Sequence, residues 1–364
     1  MQIQNYLDAN SNDWQVLQSV FPPDWRELAN KTNALRKLRK NRSPDDLLKT
    51  ILMHIGCGYS LRETTARARL AGLIDLSDVG LMKRLRKCGP WLQTLAQKML
   101  FSENSSVPDT CDKKIRIFDA SIIKEPGKSG SQWRLHFALQ LPGVGCDYFE
   151  ITSSKGEGSG ESFTRFPIHK NDYVIADRGY CSNAGIFYVV RDCQAHVLVR
   201  NVSSKGYLNL NGDQFDIISH LRTLKTAGDA SCWPVCLQNE SGQTIVGRLC
   251  AVRKTDEAIK QSQKQVRRIA ARKQKRLKPA TLEHAKYVVV FTTFPEDEFN
   301  VNDVLEWYRV RWQVELVFKR FKSIASVGHL PKHDPESSKA WLYGKLFLAL
   351  AIERVMHLAS NFSP

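Results

Sequence analysis

The chain has 364 residues, 42% hydrophobic and 9% aromatic, enough for a full core in two or three structural units and too apolar for extensive disorder. Its 53 Lys and Arg against 37 Asp and Glu leave a formal charge of +16, which favours a polyanionic partner over a merely basic soluble protein, because each neutralised phosphate releases counterions. The 9 cysteines are scattered, without zinc-finger spacing around the nearest pair, Cys232 and Cys236, as expected of a protein kept reduced in the cytoplasm.

The opening stretch, MQIQNYLDANSNDW, lacks the basic-then-apolar order of a signal peptide. Residues 1–105 read as a helical domain. Pro44-Asp45-Asp46 opens a helix that carries Leu47, Leu48, Ile51, Leu52 and Ile55 at helical spacing, and Ser60 with Glu63 forms a capping-box pattern for a second helix ending near Leu70. After the break at Ala71-Gly72, Ser77-Asp78 can cap a third helix bearing Lys83, Arg84, Arg86 and Lys87. Two helices, a Gly-containing turn and a basic second helix resemble a helix-turn-helix, which makes Lys83 and Arg84 candidate DNA contacts; plain helix packing is the competing reading.

From residue 113 the pattern changes to strands. KIRIFD (114–119) ends on Asp119, WRLHFALQL (133–141) and CDYFEIT (146–152) follow, and DYVIAD (172–177) is a buried strand ending on Asp177. A helix around 183–192 and the strand HVLVRNV (196–202) complete an α/β unit over 113–202. Residues 203–290 read as a β-rich insertion with short strands and Gly- and Asn-rich turns. Its run from Arg253 to Lys278 holds 11 Lys or Arg against 2 acids, including Arg267 and Arg268, and fits either a phosphate-contacting arm or a solvated basic helix. YVVVFTTF (287–294) is a further strand, and 291–364 becomes helical from Val301. The late apolar stretch from Trp341 to Ile352 is interrupted by Lys345 and too short to span a bilayer, so no membrane partner is expected.

The helix from Tyr308 to Lys322 carries the most information. At about 100° per residue, Val310, Val314, Val317, Phe318 and Phe321 share one arc, while Tyr308, Arg311, Trp312, Glu315, Lys319 and Lys322 share another. The first arc reads as a packing face. The second, one carboxylate among cations and aromatics, reads as a ligand face or as an Arg311–Glu315–Lys319 ladder of ion pairs. An Asp at a strand end is by itself commonplace, usually a turn or cap. GEGSG (156–160) lacks the Lys-Ser/Thr of a phosphate loop, and His329 and His333 are separated by the helix-breaking Pro331.

The spacing Y-x2-R-x3-E-x6-K over Tyr308, Arg311, Glu315 and Lys322 resembles the signature of the DDE transposases of the insertion-sequence-four (IS-four) family. FDAS (118–121) and ADRGY (176–180) look like that family's two Asp motifs, and GESFTRFPI (160–168) and residues 322–342 resemble its flanking text. The resemblance runs from about residue 113 to the C-terminus. It implies a ribonuclease-H-like α/β core with the β-rich insertion between its halves, and Asp119, Asp177 and Glu315 as the catalytic and metal-binding acids. They would hold two Mg2+ ions, with Mn2+ able to substitute, since Mg2+ takes a few hard oxygen ligands and keeps its waters. It also implies phosphate-holding roles for Tyr308, Arg311 and Lys322, with Lys319 and Arg178 as helpers. The expected activity is Mg2+-dependent hydrolysis at transposon-end inverted repeats and joining of the 3′-ends to target DNA. Family analogy adds hairpin ends during excision, a homodimer in the complex with double-stranded DNA, and a place in the bacterial cytoplasm at the nucleoid. The rival readings are a transposase-derived DNA-binding protein that does not cut, and another ribonuclease-H-like nuclease.

Overall fold

The strand-like stretches all enter one sheet. In the computed structural model, which describes residues 13–36, 43–103, 113–124, 131–141, 145–154, 160–311 and 334–360, strands β1 (Ile115–Lys124), β2 (Ser131–Leu141) and β3 (Gly145–Ser153) are antiparallel neighbours. On its other side β1 meets β4 (Tyr173–Ala176) and then β5 (His196–Arg200), both parallel to it. Strands β6 (Ala230–Gln238), β7 (Thr244–Arg253) and β8 (Tyr287–Thr292) extend the sheet antiparallel beyond β5, giving the order β3-β2-β1-β4-β5-β8-β7-β6. The segment 203–290 thus widens the same sheet, and the expected boundary at 290 falls inside β8.

All four residues of β4 are buried, as are Val197, Leu198 and Val199 of β5, which is why these two strands read as continuous apolar runs rather than alternating ones. In β1 the faces separate: Ile115, Ile117 and Ile123 join one core, and Phe118 joins the other. The second core also takes in Phe163, Phe166, Tyr180 and the short helix α5 (Asn183–Phe187).

The N-terminal helices are α1 (Trp25–Lys31), α2 (Pro44–Gly56), α3 (Leu61–Leu70) and α4 (Asp78–Glu103). Ser43 Oγ accepts from the Asp46 N–H and Ser60 Oγ from the Glu63 N–H, so both helix starts read from sequence are capped, each cap worth about 1 kcal/mol. Helix α4 runs 26 residues, straight through Pro90, and buries Leu85, Cys88, Trp91, Leu92, Leu95 and Met99. It packs along the C-terminal helix Pro335–Ser360, and the two ends of the chain share the core that covers the Ile115 face of the sheet.

Arg84 departs from expectation. It is 7% exposed, and its Nη1 donates to the carbonyls of Ala34 and Arg36 at 2.7 and 2.9 Å. Its guanidinium ties the end of the α1 segment to α4 and is not presented to DNA; neighbouring Lys83 is exposed. The basic run forms helix α7 (Asp256–Arg272), following α6 (Ile217–Leu221), and Arg267 and Arg268 lie exposed on it.

Candidate active site

Asp119 lies within β1, one residue beyond the Phe118–Ala176 pair of the parallel β1–β4 ladder, and Asp177 is the first residue after β4. The two carboxylates therefore occupy the next rung. They follow the alternation of Ile117 and Ile175, so both fall on the sheet face that carries the core of the N- and C-terminal helices. After Asp177 the chain turns at once, the Tyr180 N–H donating to the Asp177 carbonyl at 3.0 Å.

A helix crosses this face: after α8 (Pro279–His284) comes α9, described over Val301–Val310. Asn300 and Asp303 close a reciprocal capping box at its start, and Val304 and Tyr308, one turn apart, are buried against the sheet. Tyr308 is 6% exposed, so the arc expected to face a ligand is buried at its first position. Its hydroxyl donates to Asp177 Oδ1 at 3.0 Å, and Arg311 Nη1 stands 3.5 Å from Asp119 Oδ2. Two guanidinium groups stand over the Tyr308 ring, Arg311 at 5.8 Å and Arg200 at 5.9 Å from its centroid. One helix thus secures both aspartates, each through a different side chain.

The aspartates are electrostatically unlike. Burial pushes Asp119 up to about 6; the Ala120 N–H and Arg311 work against this, while Asp177 and Glu161 add to it. Burial also acts upward on Asp177, but the Arg178 N–H, Arg311, the Tyr308 hydroxyl and Arg200 outweigh it and hold that carboxyl below the usual range. Glu161, raised by burial and by Asp177, borders the pair, with Arg134 3.9 Å away. A Cβ built on Gly179 would fall inside the Glu161 carboxylate, so the ADRGY turn needs glycine there for close approach rather than for backbone freedom.

On the other side of Asp177 cations gather. Lys254 Nζ donates to Ser262 Oγ at 2.9 Å and to the Ala285 carbonyl at 2.8 Å, and burial, then Arg200 and Arg178, bring it down to about 8. His284 is held down to about 4 by burial and by Arg178, Arg200 and Lys254, so it is neutral at pH 7. Among the described residues no carboxylate forms an ion pair with Arg178, Arg200 or Lys254. Such a cluster suits a phosphate.

Of the residues singled out in the sequence, the structure brings together Asp119, Asp177, Tyr308 and Arg311, with Arg178 beside them. Lys83, Arg267 and Arg268 are exposed, and Arg84 is a buried tie. Trp312, Glu315, Lys319, Lys322, His329 and His333 lie outside the described residues. Sequence reasoning missed Glu161, Tyr180, Arg200 and Lys254. Arg200 ends a strand parallel to the one before Asp177, a position that the strand pattern alone could have flagged.

Residues 160–352 match a family model described as the transposase DDE domain. The chain is 32% identical over 366 residues to the InsL protein of insertion sequence element IS186A from Escherichia coli strain K12, with 98% of each chain covered. It is 32% identical over 367 residues to the transposase for insertion sequence element IS421 from Escherichia coli, again over 98% of each. The transposase for insertion sequence element IS231F from Bacillus thuringiensis subsp. israelensis is 25% identical over 266 residues, 64% of this chain and 54% of its own.

Proposed function

This chain belongs to the DDE transposase family, and from that premise we propose that Asp119, Asp177 and Glu315 are the acids with which it cuts and joins DNA. It is a transposase, a DNA-cleaving and strand-transferring enzyme. The residue assignment rests on one observation: two aspartates on one rung of neighbouring parallel strands, each secured by its own side chain of the crossing helix, Tyr308 for Asp177 and Arg311 for Asp119.

The pair suits a hard divalent cation. It offers carboxylate oxygens on a rigid sheet, and burial makes the Asp119 charge costly until a cation offsets it. Among the described residues no group of three or more His, Cys, Asp or Glu could hold a metal ion, so Glu315 is the third acid this reading requires. Two Mg2+ ions held there, with Mn2+ able to substitute, would activate a water and stabilise the departing oxygen. The chain's own residues do the positioning. Tyr308 fixes the orientation of Asp177, Arg311 offers a two-pronged grip on a phosphate near the cleaved end, and Arg178, Arg200 and Lys254 cradle a neighbouring phosphate. Lys319 and Lys322 would add charge to the same strand, while Arg267 and Arg268 on α7, and Lys83 on α4, would contact phosphates farther out.

The strand order β3-β2-β1-β4-β5, with β1 to β3 antiparallel and β1, β4 and β5 parallel, supports a ribonuclease-H-like core built from 113–202 and the C-terminal part of the chain. The segment from 203 to the start of β8 is then the insertion and 1–105 the N-terminal helical domain. The substrate is double-stranded DNA, the inverted repeats of the element's own ends and then the target, bound by two copies of the chain at the nucleoid. No helix among the described residues is long and apolar enough to cross a membrane.

The test is Mg2+-dependent cleavage of the native element ends by wild type, Asp119→Asn, Asp177→Asn and Glu315→Gln. Each variant should lose about a thousandfold in rate, the cost of several kcal/mol of charge stabilisation, while still binding the ends. Wild-type cleavage by any of the three would remove that acid from the site.

A further inference from the structure

Glu161 sits where a structural carboxylate is hard to explain. It is brought from the segment before β4 onto the turn that follows Asp177, so close to Gly179 that no side chain fits between them. Asp119 and Asp177 both act on it or feel its charge, so a third acid crowds a corner where two like charges already oppose each other. Its only ion pair among the described residues is the 3.9 Å approach of Arg134, whose own buried Nε finds no partner.

A second observation is independent of the acids. The Tyr180 side chain is 1% exposed, and its hydroxyl has no hydrogen-bond partner among the described residues. It feels the charges of Glu161 and Asp119, which with burial push the phenol up, and those of Arg134 and Arg165, which act against them. Phe163 and Phe166 hold the ring at 5.1 and 6.2 Å between centroids, so the hydroxyl is fixed there by packing, not by a polar partner. Buried hydroxyls are ordinarily satisfied, and one held beside two carboxylates without bonding either marks a place for a small polar ligand. Ordered water fits that description, since its two O–H groups can donate to a carboxylate and to a phenol oxygen at once.

We propose that Glu161 and Tyr180 are positioning residues of the metal site, holding water molecules of the hydrated cation bound at Asp119 and Asp177. Glu161 accepts from these waters and the Tyr180 hydroxyl oxygen accepts from one of them. Among the described residues Asp119, Asp177 and Glu161 do not form a three-acid group able to hold an ion directly, which suits Glu161 to this outer role, and Mg2+, which retains several waters, is the cation that most needs such partners. Gly179 is part of the device, because its missing Cβ lets the carboxylate reach the site.

This rests on the reading of Asp119 as a metal ligand, and Mn2+ binding to the full-length chain without DNA, followed by the electron paramagnetic resonance of the free ion, separates the two. Asp119→Asn is the reference and should show the largest loss of affinity. Glu161→Gln, which keeps size and removes charge, should bind Mn2+ about tenfold more weakly than wild type. Tyr180→Phe should weaken binding about threefold while leaving the melting temperature equal or higher, since it removes a hydroxyl that the fold leaves unpaired. A purely structural tyrosine would give the reverse, lower stability with unchanged Mn2+ affinity. Wild-type affinity in Glu161→Gln and Tyr180→Phe, with a loss in Asp119→Asn, overturns this proposal alone. Wild-type affinity in all three overturns the metal reading and this proposal with it. Should Glu161→Gln fail to fold, Tyr180→Phe carries the test.

Discussion

Two corners of the molecule meet at Asp177 and Arg178 and are unsatisfied in opposite senses. On one side Asp119, Asp177 and Glu161 share a partly buried space, and Asp119 is pushed up to about 6. On the other, Arg178, Arg200 and Lys254 converge on neutral His284, and Lys254 is brought down to about 8. The buried ion pair Arg116–Asp172, 3.1 Å apart nearby, shows how the same sheet looks when a charge serves the fold alone: acid and base are matched directly. At the two corners the match is incomplete: Arg311 and Arg134 reach Asp119 and Glu161 only at 3.5 and 3.9 Å, and among the described residues no carboxylate pairs with Arg178, Arg200 or Lys254. A divalent cation answers the first corner and a phosphodiester the second, and DNA bound through a metal ion supplies both together.

The largest expected effect separates the corners by function. Asp119→Asn should abolish cleavage, by about a thousandfold, yet leave end binding equal or tighter because a negative charge has gone. Arg200→Ala should weaken end binding about tenfold and reduce its salt dependence, having removed one phosphate contact. Equal loss of binding in both variants would erase the distinction.

A pH series sharpens it further. Asp119 must be ionised to take a cation, so Mn2+ affinity should fall as pH drops through 6 and level off above it. For the unliganded fold the sign is opposite: a carboxyl raised in the folded state contributes stability below its unfolded value that is lost as pH rises toward 6. Lys254 must keep its proton to hold phosphate, so DNA affinity should decline as pH rises through 8. Titrations of metal and of DNA that follow one and the same pH curve would contradict two separate corners.

Tyr308→Phe should be milder. Losing the 3.0 Å hydrogen bond to Asp177 lets that carboxyl rise and swing, lowering cleavage about tenfold with little effect on folding, because the ring still fills its place. Arg84 offers the contrast. Arg84→Ala leaves two carbonyls without their donor and should cost about 2 kcal/mol of stability in urea unfolding, with no change in the salt dependence of DNA binding.

Much of this was legible in the sequence, for identifiable reasons. The starts of α2 and α3 follow from Ser43 and Ser60, whose side chains act on backbone three residues away. The aspartates were legible as acids closing apolar runs, but their sharing a rung was not, since register is set by pairing between segments 58 residues apart. Glu161, Arg200 and Lys254 reach the site from three further segments that only the tertiary fold unites. Arg84 could have been read better: Leu81, Leu85, Cys88 and Leu92 mark the buried stripe of α4, and position 84 lies within it. The full length of α4 was hidden because Pro90 normally ends a helix.

The most direct measurement of the central claim replaces each aspartate by cysteine and compares cleavage of the native ends in Mg2+ and in Mn2+. A thiolate is a poor ligand for Mg2+ and a better one for the softer ion. If Asp119 and Asp177 hold the metal, Asp119→Cys and Asp177→Cys should be inactive in Mg2+ and partly restored in Mn2+. Wild-type cleavage in Mg2+, or the same residual rate in both metals, would contradict it.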